Sequence, residues 1–504
     1  MSNHLFDAIR AAASGDAPFI RINGGRSWTY GDALAFSGRI ASAIDTLGIR
    51  PGDRVAVQVE KSAEALILYL ACLRSGAVYL PLNTAYTLAE LDYFIGDAEP
   101  RLVVVSPAAR ESVRKIAEPH GAIVETLGTD GTGSLLDLAH DEPSDFVDAS
   151  CAADDLAAIL YTSGTTGRSK GAMLTHRNLL SNAMSLRDCW RVTGGDRLIH
   201  ALPLFHTHGL FVATNVTLLA GASMFLLPKF DPDEVLSLMP QATLLMGVPT
   251  FYVRLLQSPR LDRQAVADMR LFISGSAPLL AETHVEFRKR TGHAILERYG
   301  MTETNMNTSN PYDGERIAGT VGFPLPGVTV RVTDTTTGAA LPAEETGMIE
   351  IKGPNVFKGY WRMPEKTAAE FTADGFFISG DLGKIDRRGY VHIVGRNKDL
   401  VISGGYNIYP KEVEGEIDQL EGVAESAVIG VPHPDFGEGV TAIVVRKPEA
   451  ALDESAILGA LKDRLARYKQ PKRIIFADDL PRNTMGKVQK NLLRQQYADL
   501  YART

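Results

Sequence analysis

The string YTSGTTGRSKG, Tyr161 to Gly171, combines three glycines, five Ser or Thr hydroxyls and the cations Arg168 and Lys170. Free backbone N–H groups, hydroxyls and positive charge in one pliable loop suit a polyphosphate. A loop of the GxxxxGK[ST] kind needs its lysine at the opening of a helix, whereas Lys170 follows Ser169 and precedes GAMLT, which reads as a strand. The helix-dipole mode of phosphate binding is therefore not expected. In YGMTETN, Thr302 sets a hydroxyl beside the Glu303 carboxylate, a pair able to touch a phosphate and hold a hard divalent cation next to it. Asp381 in SGDLGKID follows a glycine, and Arg396 and Lys398 come soon after; a carboxylate there can accept both hydroxyls of a ribose. Lys487, in PRNTMGKVQK, stands on a Gly-bearing turn before a helix, a place for a mobile cationic finger. Singly, each short pattern also fits a surface turn or an ion pair; the eleven-residue glycine string is too particular for that.

Such residues need a scaffold. At ~100 to 200 residues per domain, the 504 residues exclude a single small binding module. Apolar residues at 45% and charged ones at 22% leave ordinary material for buried cores. Lys and Arg number 52 against 60 Asp and Glu, and the net charge of -8 argues against nucleic acid or an anionic membrane as the main partner. Cys72, Cys151 and Cys189 lie far apart without a CxxC pair, so neither a disulfide framework nor a zinc site is expected, and a cytoplasmic location fits. The opening MSNHLFDAIRAAAS reads as a short amphipathic helix, not a signal peptide. The most apolar span, Ala65 to Leu73, falls short of the ~18 residues a membrane crossing needs.

From Pro51 the order is turn, apolar run (RVAVQVE), a helix-period stretch opened by Ser62 (AEALILYLACLR), Gly76 and another apolar run (AVYLPL). The unit recurs: Glu90 to Ala98 before RLVVVS, Leu179 to Trp190 before DRLIHALPL, EVLSLMPQ before TLLMGV, and AVADM before RLFISGS. This predicts an α/β body of doubly wound parallel sheets covered on both faces. Past about Gly319, short alternating strands (TVRVTD, GMIEIKG, GFFISGDLGKID, YVHIVG) are expected to form a small distorted β-barrel over 319–395. From Gly395 an α+β unit follows, in which KDRLARYK, Lys462 to Lys469, reads as a solvated helix face. The expected layout is a body over 1–396, made of two α/β subdomains and the barrel piece, then a smaller domain over 397–504.

In chain order, YTSGTTGRSKG, FHTHG, ISGSAPL, YGMTET, ISGDLGKID, GRNKDLVISGGYNIYPKEVE and PRNTMGK resemble the motifs of the adenylate-forming superfamily of acyl-CoA synthetases, luciferases and peptide-synthetase adenylation domains. Within it the sequence is most similar to malonyl-CoA synthetases of the bacterial malonate-utilisation type. The resemblance implies an acid–thiol ligase working in two steps: ATP and a carboxylate give an acyl-adenylate and pyrophosphate, then CoA takes the acyl group and AMP leaves. It implies that Thr162, Ser163, Gly164, Thr165, Thr166, Gly167, Arg168, Ser169 and Lys170 hold the β- and γ-phosphates. Thr302 would touch the α-phosphate and Glu303 hold Mg²⁺, with Thr162 a second metal contact. Ser276, Ala277, Glu297, Arg298 and Tyr299 would flank the adenine, and Asp381 bind the ribose beside Arg396. Lys487 would bridge carboxylate and α-phosphate in the first step. The small terminal domain, mobile in such enzymes, would then rotate about Lys398 and exchange the PRNTMGK loop for a CoA tunnel at Ser403, Gly404 and Gly405. Many relatives carry Lys where this chain has Ile402; Arg168 and Arg396 are the available substitutes for that cation. The family also implies a lysine acetyltransferase and deacetylase acting on Lys487, since acetylation removes the charge the first step uses.

The acyl pocket is expected between FHTHG, MGVPTFYVR, ISGSAPL and the stretch after Glu303. His206, Thr207, Ser276, Asn305, Asn307 and Thr308, with Met306 as a wall, describe a small polar cavity where a fatty-acid ligase needs an apolar tunnel. Arg254 lies in the apolar run VPTFYVRLL, on the expected first turn of a helix. A buried guanidinium there needs a partner, which the second carboxylate of a diacid supplies bidentately; an ion pair within the protein is the plain alternative. Arg298 is the second candidate, though Tyr299 beside it points to the nucleotide side. The expected acid is malonate, with methylmalonate tolerated because one methyl is worth only ~1–3 kcal/mol of discrimination. The alternatives are a short- or medium-chain acyl-CoA synthetase, an adenylation domain serving a carrier protein, and a non-catalytic nucleotide-binding protein. No carrier segment is expected after the last helix, and a non-catalytic protein would be expected to lack Lys487 or Glu303, which are both present.

Overall fold

Ser62 caps the helix Ala63–Ser75, its hydroxyl accepting from the Ala65 N–H at 3.0 Å, and Gly76 ends it at φ 70°. Every residue of that helix except Glu64 is buried. A helix apolar all round must lie inside the protein, and the cluster around it draws Val55 and Val57 from one large sheet and Leu198, Met224 and Leu244 from the other. The computed structural model describes residues 2–162, 169–404, 406–462, 464–483 and 486–502.

One sheet has seven strands. Ile123–Thr126, Leu102–Val105, Arg54–Gln58, Val78–Pro81 and Leu156–Thr162 lie parallel, followed by Lys170–Thr175 and Gly359–Tyr360 in antiparallel pairings. The other has nine. Pro18–Arg21, Ser223–Leu226, Arg197–His200, Leu244–Gly247, Leu271–Ser274 and Leu296–Met301 are parallel, with Trp28–Thr29 antiparallel at one edge and Asn305–Ser309 and Phe323–Pro324 at the other. The α/β class is as expected, but both sheets are mixed at their edges. The strands at 18–29 also join the later sheet rather than the one that follows them in sequence.

The segment expected to form a barrel is instead an open four-stranded antiparallel sheet of Thr329–Thr333, Gly347–Lys352, Phe377–Ile385 and Val391–Arg396. Two short strands of the same segment, Phe323–Pro324 and Gly359–Tyr360, leave it to pair with the large sheets. After it, Val401–Ser403, Tyr406–Ile408, Val423–His433, Gly437–Arg446 and Arg473–Ala477 form a smaller sheet with the helices Pro410–Asp418, Glu454–Leu461 and Lys490–Gln496. AVADM forms turns, with the Ala265 N–H on Asp262 Oδ1 at 2.8 Å, because so short a stretch cannot offset helix nucleation. The helix before KDRLARYK stops at Leu461, and buried Leu465 draws that stretch inward. No helix among the described residues is long and apolar enough to cross a membrane.

Candidate active site

Open α/β sheets collect ligands outside the carboxyl ends of their strands, and the candidate residues fall there. Thr162 ends Leu156–Thr162; His206, Thr250 and Ser276 follow Arg197–His200, Leu244–Gly247 and Leu271–Ser274; Arg298 and Tyr299 lie in Leu296–Met301 with Thr302 just past it.

At the candidate phosphate end, Thr162 and Lys170 are antiparallel cross-strand partners, and Lys170 opens a strand, not a helix. Ser163, Gly164, Thr165, Thr166, Gly167 and Arg168 lie outside the described residues. Tyr93 donates to the Ser169 carbonyl at 2.7 Å. Lys170 Nζ stands 3.2 Å from Glu370 Oε1 and 4.0 Å over the Tyr360 ring. The Tyr360 hydroxyl lies 2.6 Å from Glu370 Oε2 and 3.0 Å from Glu303 Oε1. A phenol has one proton to donate, and the shorter contact is to Glu370. Burial opposes ionisation of Glu370, but Lys366, Tyr360 and Lys170 outweigh it and hold its carboxyl below the usual range. Burial raises the Glu303 carboxyl, which suits it to share a proton with Tyr360; a bound cation would reverse that shift. Magnesium carried by a triphosphate needs only one or two carboxylates and keeps its other positions for phosphate and water. Glu303 fits that donor set, and among the described residues no group of three or more His, Cys, Asp or Glu forms a dedicated cage. Tyr360 and Glu370 were missed in the sequence, where KGYWRMPEKTAAE carries no pattern that marks them.

On the nucleotide side, Asp381 and Arg396 face each other across paired strands, with Arg396 Nε 2.6 Å from Asp381 Oδ1. Tyr299 donates to Asp381 Oδ2 at 2.5 Å. Glu297, its carboxyl raised by burial, accepts from the Gly319 N–H at 3.3 Å and lies 3.6 Å from His284 Nδ1. Ser276, at φ 71°, stands 3.2 Å from His208 Nδ1, and Ala277 follows it half-buried. His208 and His284, unremarkable in sequence, are thus placed by the fold. If Asp381 holds a ribose diol, each charge-assisted hydrogen bond is worth ~1.5–3 kcal/mol. Asp381→Ala should then raise KM for ATP at least about tenfold and leave KM for the acid unchanged, as read by steady-state kinetics.

Lys487 keeps solvent contact, yet its ammonium feels Arg396, Asp381, Asp399 and Lys398. Protein packed around the cleft, with Arg396 adding to it, lowers its pKa from 10.5 to about 8. A Cβ on Gly486 would lie 3.2 Å from Thr250 Cγ2, so the loop bearing Lys487 rests on the helix Pro249–Gln257. Lys398 is exposed in the turn Asn397–Asp399. Ser403 is buried and Gly404, at φ 59°, donates to the Phe436 carbonyl at 2.9 Å; Gly405 lies outside the described residues.

The acyl side departs most from expectation. Arg254 occupies the last turn of its helix, not the first, and is exposed; among the described residues it has no hydrogen bond or ion pair. Tyr252 and Leu255 turn inward on that helix, which carries Arg254 to the outer face. The buried guanidinium is Arg298, 3% exposed, with Nε and Nη2 lacking a partner among the described residues. Burial brings its pKa down to about 9, still cationic at neutral pH. A Cβ on Gly275 would lie 2.4 Å from Arg298 Cζ, so any side chain there would push the guanidinium from its place. Gly300, two residues on along the strand, lies under Met306 Cε at 2.5 Å from where its own Cβ would be, which sets Met306 and Arg298 on one face. Thr207 Oγ1, His208 Nε2 and Ser274 Oγ are also buried without a partner among the described residues. His206 is held neutral by burial, at a pKa of about 4.

Residues 8–361 match the AMP-binding enzyme family, and 412–487 match the AMP-binding enzyme C-terminal domain. Feruloyl-CoA synthase of an Amycolatopsis species is 38% identical over 493 residues, 97% of each chain. Malonate–CoA ligase of Arabidopsis thaliana is 34% identical, covering 98% of this chain and 90% of that protein. ATP-bound MatB from Rhodopseudomonas palustris superposes with a TM-score of 0.98 at 63% identity, over 99% of this chain and 100% of that one. Apo MatB gives 0.87, so the present arrangement is closer to the nucleotide-bound neighbour.

Proposed function

The chain belongs to the AMP-binding enzymes, and on that footing we propose that it is an AMP-forming malonate–CoA ligase. Malonate and ATP would give malonyl-adenylate and pyrophosphate, and CoA would then take the malonyl group with release of AMP. The observation that carries the choice of acid is Arg298. A buried cation without a counter-charge costs several kcal/mol, and the far carboxylate of a short diacid would supply that charge. The likeness to a malonate–CoA ligase and to MatB supports the same reading.

In this reading Lys170 turns from Glu370 to the β- and γ-phosphates with Thr162 to Arg168 and Ser169, and Thr302 touches the α-phosphate. Magnesium, when bound with the nucleotide, neutralises phosphate charge. Glu303 would hold it with Thr162 beside it, and Tyr360 keeps Glu303 aimed. Asp381 and Arg396 take the ribose; Ser276, Ala277, Glu297 and Tyr299 flank the adenine. The acid lies among Arg298, Thr207, His206, Ser276 and Met306, and Arg254, on the outer face of its helix, takes no part. No protein nucleophile is needed, because displacement at phosphorus is accelerated by cations and N–H donors set where charge builds. CoA would enter past Ser403, Gly404 and Gly405 after rotation about Lys398 of the terminal domain, 397–504, on the body, 1–396. Methylmalonate should be accepted. Acetylation of Lys487 would switch off the first step in the cytoplasm.

Malonate-dependent exchange of pyrophosphate into ATP tests this. Malonate should surpass acetate, butyrate and octanoate; a preference for acetate or octanoate would remove the diacid reading.

A further inference from the structure

Lys487 can serve the first step only if its ammonium is held at the nucleotide side, and an exposed side chain on a turn does not hold itself. The backbone around it closes as a small hairpin. Arg482 and Val488 form an antiparallel bridge, the Asn483 N–H donates to the Lys487 carbonyl and the Gly486 N–H to the Asn483 carbonyl, both at 2.9 Å. The Lys487 N–H donates to Asn483 Oδ1 at 3.0 Å. A lone hairpin is marginal in water, and beyond the contact of Gly486 with Thr250 this one needs a tie to its own domain.

Arg482 spans this one. Its Nη1 donates to the carbonyl of Gly486, the residue before Lys487, at 2.7 Å, while its Nη2 is ion-paired with Glu425 on the strand Val423–His433. One planar guanidinium thus ties the far side of the hairpin to the sheet behind it, which a lysine's single point charge cannot do at both ends. We propose that Arg482 is the positioning residue for Lys487, acting in adenylate formation and not in thioester formation. This rests on the reading of Lys487 given above.

The following segment is fastened separately. Lys490 pairs with Glu414 at 2.5 Å, and Arg494 with Asp399, next to Lys398, at 2.8 Å. These pairs hold the last helix to the helix Pro410–Asp418 and to the turn Asn397–Asp399 without help from Arg482. Loss of Arg482 should therefore loosen the hairpin and spare the domain.

The test separates the half-reactions. In Arg482→Met and in Glu425→Gln, malonate-dependent pyrophosphate exchange should fall about 10- to 100-fold, the cost of a misplacement near 1 Å. Malonyl-CoA formation from supplied malonyl-adenylate and CoA should be unchanged, as should the thermal unfolding midpoint. Arg482→Lys should recover part of the exchange. An equal fall in both half-reactions makes Arg482 merely structural and overturns the proposal; so does undiminished exchange in Arg482→Met. Lys487→Ala is run beside them. If it too leaves exchange intact, the Lys487 reading has failed and takes this one with it; if it alone abolishes exchange, only the Arg482 proposal is lost.

Discussion

Arg298→Met should remove malonate activation while leaving the protein at least as stable as before. The two effects have opposite signs because the guanidinium is buried with Nε and Nη2 lacking a partner among the described residues. Even a buried ion pair can often be replaced by well-packed apolar side chains at no cost in stability, and a guanidinium with two unpartnered nitrogens has less to lose, so the thermal midpoint should hold or rise. Removing one partner of a buried, hydrogen-bonded charge pair costs the complex about 2–5 kcal/mol, a fall in kcat/KM of roughly 30- to 5,000-fold. The fall should be confined to diacids, with butyrate and propionate gaining relative to malonate. Arg254→Ala should leave the preference nearly unchanged, since its charge is exposed on the outer face of its helix. Measuring kcat/KM for malonate and butyrate in both variants decides it. An equal loss for both acids, or a rise in KM for ATP alone, would place Arg298 on the nucleotide side and leave the choice of acid unexplained.

Lys487→Ala should lower adenylation about 100- to 1,000-fold, the range for removing one preorganised donor from a developing anion. Thioester formation from supplied malonyl-adenylate should continue, because that step does not use the lysine. The wild-type rate should also carry a pH signature. With the ammonium's pKa brought down to about 8, the cation is present below that pH and lost above it. The adenylation rate should thus decline as pH rises through about 8, while the thioester half-reaction keeps its own profile. In Lys487→Ala that declining limb should vanish. Equal loss of both half-reactions, or an alkaline limb that survives the substitution, would exclude the role.

Much of the candidate chemistry could be proposed before the fold, and for a local reason. The glycine string, the Thr302–Glu303 pair, Asp381 and the Gly–Lys turn at 487 each meet a demand made within a few residues: a pliable turn, a hydroxyl beside a carboxylate, a cation on a loop. Strand and helix alternation likewise reports burial along one stretch of chain, which is how the α/β class and the change near Gly319 became visible. Boundaries suffered where local preference was weak, as in AVADM and KDRLARYK.

What the sequence alone determined, then, is the inventory of reactive groups and the class of scaffold, because both depend on neighbours in the chain. Only the tertiary structure decided which arginine is buried. Arg254 sits in the more apolar run, but Tyr252 and Leu255 take the inward face of its helix, while Arg298 packs against Gly275, just past the strand Leu271–Ser274. Only the tertiary structure brought Glu370 to Lys170, 200 residues away, and sent Gly359–Tyr360 away from the four-stranded sheet to pair with Lys170–Thr175. Desolvation and long-range pairing are properties of what packs against a residue in space, and linear order does not record them.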